Sequence, residues 1–201
     1  PPVGGRVVRA ACGPGLGPAA PSTSPRWSAD GKREVMVRKF VTWAVGTEVG
    51  HSEGFDWEQT PESVLAELTR YLTDPRVLRD NAFFSCGVWA LPEEADNLTE
   101  VDADDPARAN YMQVGGRCTA LTLEIRVADE EGHVHYTVAR EPVRDPEAWA
   151  ELSWTIGEES TYTTRLHPEE ILTGEQAVPF FRDYVLHGVL PSPELLRPID
   201  V

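Results

Sequence analysis

Leu121, Leu123, Ile125 and Val127 alternate with Thr122, Glu124 and Arg126. That two-residue period gives an extended strand two chemically different faces. Asp129-Glu130-Glu131-Gly132 follows, and then a second β-rich run from Val134 to Ala139, which together predict a β-hairpin. An alternating strand buries its apolar side and leaves its polar side to water, so this pattern implies a sheet with one packed and one wet face.

Other segments extend the sheet. Val37 to Val49 contains Phe40, Val41, Trp43 and Val45 and reads as a strand. Ala82 to Ala90 is apolar nearly throughout, as a central strand is. Tyr111 to Val114 forms a short strand before Gly115-Gly116, and Trp149 to Ile156 with Thr161 to Leu166 predicts a further pair. Leu195 to Ile199 closes the chain as an extended segment.

Two helices interrupt this pattern. Thr60-Pro61-Glu62 supplies a capping hydroxyl, a proline suited to the first helical position and a carboxylate at the positive helix end. Val64, Leu65, Leu68, Tyr71 and Leu72 then recur at helical spacing, and Asp74-Pro75 ends the run. Thr173-Gly174-Glu175-Gln176 is a capping box for a second helix whose stripe is Ala177, Phe180, Phe181, Tyr184 and Val185. Gly188 stops that helix, and Pro179 is expected to kink it or shift its start. The predicted class is α+β, a mostly antiparallel sheet with two main helices packed on one face.

Residues 1–35 differ in kind from residues 36–201. Gly13-Pro14-Gly15-Leu16-Gly17-Pro18-Ala19-Ala20-Pro21 is low-complexity sequence that cannot bury enough apolar area to order itself. Lys32-Arg33-Glu34-Val35 fits purine-rich codons of a ribosome-binding site, so the natural protein is expected to start at or near Met36. Residues 36–201 are expected to form a single domain.

Charge restricts the partners. The chain carries 18 basic and 33 acidic residues, a net charge of −15. Five of the basic and two of the acidic residues lie in 1–35, leaving 13 against 31 and a net −18 for the rest. Such a surface repels phosphate backbones and anionic membranes and attracts basic proteins. Cys12, Cys86 and Cys118 form no CxxC pair and fit a reducing cytosol, with a Cys86–Cys118 bridge left open as the alternative.

Several groups carry the raw material of chemistry. His133 and His135 point to one strand face and, with Glu124 or Glu131, resemble half of a metal site. His167-Pro168-Glu169-Glu170 sets a histidine beside two carboxylates but reads more naturally as a turn into the last helix. Asp102-Ala103-Asp104-Asp105 lacks the glycine and distal glutamate of a calcium loop. No cofactor, metal or catalytic residue is therefore assigned. Glu93 to Ala109 reads as a long, mobile acidic loop, and loops of that length are commonly functional. Of the six tryptophans, Trp43 and Trp89 read as core, whereas Trp57, Trp149 and Trp154 suit an interface equally well.

The C-terminal half carries a resemblance. Its residues are Trp154, Thr163-Thr164-Arg165-Leu166-His167-Pro168-Glu169-Glu170-Ile171-Leu172, then Phe180, Phe181, Tyr184, His187-Gly188 and Leu196-Arg197-Pro198-Ile199-Asp200. Tyr111-Met112-Gln113, Leu123-Glu124-Ile125-Arg126 and His135 precede them. Over Asn110 to Val201 the chain resembles the acidic α+β immunity proteins of actinomycete polymorphic toxin systems, including those found beside nucleic-acid deaminase toxins. The resemblance implies a cytoplasmic inhibitor that masks the active site of a cognate basic toxin and has no catalytic residues of its own. Glu100, Asp102, Asp104 and Asp105 are then the expected contacts, with Trp57 and Tyr111 as anchors. The alternatives are an acidic scaffold protein with another partner, or a metal-dependent hydrolase built on His133, His135 and His167.

Overall fold

The structure, a computed structural model, describes residues 39–46, 50–54, 60–92, 94–96, 98–102, 105–129, 132–156 and 160–200. The Gly/Pro/Ala tail, Met36, Trp57 and Asp104 lie outside the described residues.

The first strand, β1 (Phe40–Gly46), has Phe40, Val41, Thr42, Trp43 and Ala44 all buried, so it is covered on both faces. The sequence reading ran the strand from Val37 to Val49, of which Val37, Arg38 and 47–49 lie outside the described residues; β2 (Gly50–Gly54), an edge strand, pairs antiparallel with β1. Helix α1 (Pro61–Thr73) leads to β3 (Phe83–Ala90), then β4 (Tyr111–Arg117), β5 (Ala120–Asp129) and β6 (Gly132–Val138). β7 (Ala150–Ile156) and β8 (Ser160–Leu166) form a separate hairpin, and α2 (Gly174–His187) precedes β9 (Leu196–Ile199). Among the described residues the main sheet runs β2-β1-β3-β4-β5-β6-β9, antiparallel at every pairing. Gly116 makes the tight β4–β5 turn possible: its φ is 127°, and a Cβ there would stand 2.7 Å from the Ala120 carbonyl oxygen.

Both helices start as their sequences dictate. Thr60 Oγ1 accepts from the Ser63 amide, and Ser63 Oγ accepts from the Thr60 amide, each at 3.1 Å. Thr173 and Gln176 close the same reciprocal box on α2. Pro179 does not displace that start, which stays at Gly174, and Gly188 ends the helix in the left-handed conformation at φ 61°.

Val64, Leu68 and Leu72 of α1 and Ala177, Phe181 and Tyr184 of α2 bury one face of the sheet, meeting Cys86, Val88, Met112, Val114, Leu121, Leu123 and Ile125. A fully buried leucine contributes about 1.5–3 kcal/mol here, and Leu68 and Leu72 have no exposed surface. This is the α+β layering expected, with both helices on one face.

The opposite face departs from the expectation of a wet side. Thr122, His135 and Thr137 are buried there at 3%, 6% and 1% exposure. Two covers explain it, both contributed by sequence far from the hairpin. The β7–β8 hairpin lays Trp154 against Gly115 and Thr122, and the 3-10 helix Pro106–Ala109 lies against β3, β5 and β6. A register shift at Val45/Gly46 accompanies the split of two adjacent phenylalanines, Phe83 packing into the helix-side core and Phe84 into the hairpin core. Among the described residues no helix is long and apolar enough to cross a membrane.

Candidate functional site

The segment between β3 and β4 is rich in acid, yet three small apolar side chains fasten it down. Leu91, Ala95 and Val101 form a buried cluster with Val41 of β1. The ends are closed by the Leu91 amide donating to the Lys39 carbonyl at 2.8 Å and the Ala90 amide to the Asn110 carbonyl at 3.0 Å. Within the segment, 3-10 helices span Leu98–Glu100 and Pro106–Ala109, and Arg108 Nε donates to the Val101 carbonyl at 2.9 Å. Where the sequence reads as a mobile loop, the described residues of the segment pack as a folded lobe; Glu93, Asn97, Ala103 and Asp104 lie outside them. An acid-rich run conceals this because a few small apolar contacts, not periodicity, hold it.

Glu100 and Asp102 are exposed on this lobe, and Asp105 is half-exposed. Glu100 Oε2 accepts from the Asp96 amide at 2.8 Å, which orients its carboxylate. Tyr111, expected as an anchor, is 7% exposed; its ring meets the edge of His135 and lies beneath Arg126. It belongs to the packing of this domain, at the end of the sheet that the lobe covers.

Cross-strand register arranges the opposite face of the sheet in rows. Trp89, Tyr111, Arg126, His135 and Ile199 form one; Trp43, Gly87, Gln113, Glu124, Thr137 and Arg197 form the next. Ser85, Gly115 and Thr122 form the third. Trp43 lies directly over Gly87, where a Cβ would come within 2.9 Å of its ring, and Trp154 lies over Gly115 at 3.1 Å. Between the lobe and the hairpin, the middle row stays partly open: the Glu124 side chain keeps 23% exposure. Gln113 Nε2 donates to Glu124 Oε2 at 2.7 Å, and His135 Nε2 stands 3.3 Å from the same oxygen, out of line for a hydrogen bond.

At the β9 end of that row, Glu170 has no exposed surface. Its carboxylate accepts from Arg197 Nε at 2.6 Å, Arg197 Nη2 at 2.8 Å and the His167 amide at 2.8 Å. The His167 ring stacks on Trp149 at 3.9 Å between centroids, and its Nδ1 lies 2.8 Å from the Ala148 carbonyl. Arg140 Nη1 donates to the Pro168 and Ile171 carbonyls and so pins the turn from below. The turn read from His167-Pro168-Glu169-Glu170 is there, as a 3-10 helix whose two carboxylates face inward.

The three histidines do not converge. His133 faces Arg126, His135 faces Glu124 and Tyr111, and His167 faces Trp149. Burial, and then Arg126 and His135 nearby, push the His133 imidazole below its ordinary pKa. Among the described residues no three His, Cys, Asp or Glu side chains gather as a metal site, and Cys86 and Cys118 are free thiols.

Burial, reinforced by the Glu67 carboxylate, pushes the Cys86 thiol far above its usual pKa, so it stays neutral and unreactive. Iodoacetamide at neutral pH should leave the Cys86 peptide unlabelled in the folded chain and label it after denaturation, with mass mapping as the readout. Prompt native labelling at Cys86 contradicts this burial.

Sequence reading missed Gln113, Thr122, Glu124, Trp154 and Glu170 as one neighbourhood. The available signal was the pair of glycines, Gly87 and Gly115, inside otherwise apolar strands, which marks places where something packs directly on the backbone. The chain matches no protein-family model, no curated protein and no solved structure.

Proposed function

We propose that this chain is an immunity-type inhibitor, an acidic cytoplasmic protein that binds and neutralises one basic toxin acting on nucleic acid. The observation that carries the reading is the lobe: it presents Glu100, Asp102 and Asp105 from a fastened scaffold on a chain of net charge −15. Carboxylates already held in place lose less conformational freedom on binding than those of a loose loop. A toxin acting on nucleic acid needs a positive groove, and an acidic surface both competes for it and speeds encounter.

The test is a low-salt pull-down with the full chain, followed by affinity measurement against the captured protein over a range of salt. A single basic protein recovered in stoichiometric amount and released by salt is the expected result. Many partners recovered together would favour a general scaffold instead. The triple variant Glu100→Gln, Asp102→Asn, Asp105→Asn should bind more weakly, by about 0.2–1 kcal/mol per exposed charge, with a flatter salt dependence. Unchanged affinity and salt slope would remove the lobe from the contact.

A further inference from the structure

We infer that Trp149 and Arg165, with Arg197 beside them, form a docking point for a carboxylate side chain of a protein partner. They lie at the end of the β7–β8 hairpin away from its turn. The inference goes beyond the inhibitor reading and holds whatever the partner's own activity is.

Exposure comes first. Among the described residues Trp149 is the large apolar side chain left open to solvent, at 38%, and Arg165 is exposed beside it. The indole is nonetheless held still. His167 stacks on it, and the His167 ring is tied through Nδ1 to the carbonyl of Ala148, the residue before Trp149. Arg140 pins the turn that follows His167 through the Pro168 and Ile171 carbonyls. An exposed aromatic already fixed in place loses little freedom when a partner covers it, and tryptophan and arginine are the side chains that most often dominate such contacts.

Charge is the second, independent observation. Two guanidinium groups converge on the one indole, Arg165 at 5.0 Å and Arg197 at 5.4 Å from its ring centre. Arg197 gives Nε and Nη2 to Glu170 and keeps Nη1, which has no acceptor among the described residues. Arg165 has no acidic partner among them either. Glu151 stands directly opposite it in the β7–β8 register, yet no ion pair joins the two. Cations gathered in this way repel one another, so on a chain with 33 acidic residues an arginine left without one marks a place for an acid from outside. A carboxylate matches the planar fork of a guanidinium with two parallel hydrogen bonds. It is favoured over a phosphate group because the field of a chain of net charge −15 opposes the larger charge.

The test follows the indole N–H signals of the isotope-labelled full chain by NMR, with Trp149→Phe identifying the Trp149 signal by its loss. Acetyl-Ala-Glu-Ala-amide is titrated beside its uncharged isostere, acetyl-Ala-Gln-Ala-amide, and beside inorganic phosphate. A saturable shift of the Trp149 signal is expected with the glutamate peptide, with affinity about fivefold weaker for the glutamine peptide and in Arg165→Gln. Glu151→Gln, which removes the competing acid across the hairpin, should tighten binding. No saturation, or equal affinity for the two peptides, overturns the proposal, as does unchanged affinity in Arg165→Gln. Tighter binding of phosphate than of the glutamate peptide overturns the choice of a carboxylate. Should a variant fail to fold, the two peptides on the unaltered chain still decide.

Discussion

Replacing Glu170 with alanine is expected to lower stability by about 2–4 kcal/mol, the loss of a buried carboxylate that accepts three hydrogen bonds, two of them from Arg197, which keeps 30% exposure. In a domain of this size that is a fall in melting temperature on the order of 10 °C. The carboxylate is fully buried and serves three donors on two elements, Arg197 Nε and Nη2 on β9 and the His167 amide at the start of its own turn. Without it, Arg197 loses the group that orients it and the His167 amide loses its acceptor. The double variant Glu170→Met, Arg197→Met should recover part of the loss, because it removes the buried carboxylate together with its part-exposed partner. Urea unfolding of the two single variants and the double provides the check. A loss under about 1 kcal/mol for Glu170→Ala would show the pair to be no stronger than a surface one.

Gly174→Ala is expected to be as damaging for a different reason. A Cβ at this first residue of α2 would stand 1.8 Å from the Leu72 carbonyl oxygen and 2.6 Å from its carbon. Neither atom belongs to a side chain that can swing away. The Gly174 amide also donates to the Cys118 carbonyl at 2.7 Å, so the end of α1, the β4–β5 turn and the start of α2 meet at one point. Overpacking commonly costs about 1–3 kcal/mol, and a backbone-to-backbone clash belongs at or above the top of that range. Thermal unfolding beside Glu175→Ala, an exposed neighbour in the same turn, separates the clash from any effect of helix-end charge. Equal melting of the two variants would mean that the helices part freely.

The helices were legible in the sequence because their signals are local. Thr60 and Thr173 bond to amides three residues ahead, and Gly188 adopts its left-handed turn beside the helix it ends. The strands were legible wherever one face alternated cleanly, as in β5. β2 was not, since Gly50-His51-Ser52-Glu53-Gly54 has neither alternation nor β-branched residues and owes its pairing to β1. Nor was the second buried face. Thr122, Glu124 and Arg126 read as solvent-facing from their own strand; the hairpin and lobe that cover them come from residues 150–166 and 91–109. The same distance concealed Glu170, whose partner Arg197 lies 27 residues away. Periodicity reports which side chains share a face and is silent on what arrives from elsewhere to cover it.

The last strand of the sheet has a bearing on self-association. β9 is four residues long and holds Pro198 opposite Tyr136. Having no N–H, Pro198 cannot donate to β6, so it suits a site where the backbone nitrogen faces away from β6. The donor is then missing from the outer side, where an incoming strand from another molecule would need it. A short proline-bearing edge of this kind discourages strand addition, leaving the β9 side of the sheet a poor template for fibrillar growth.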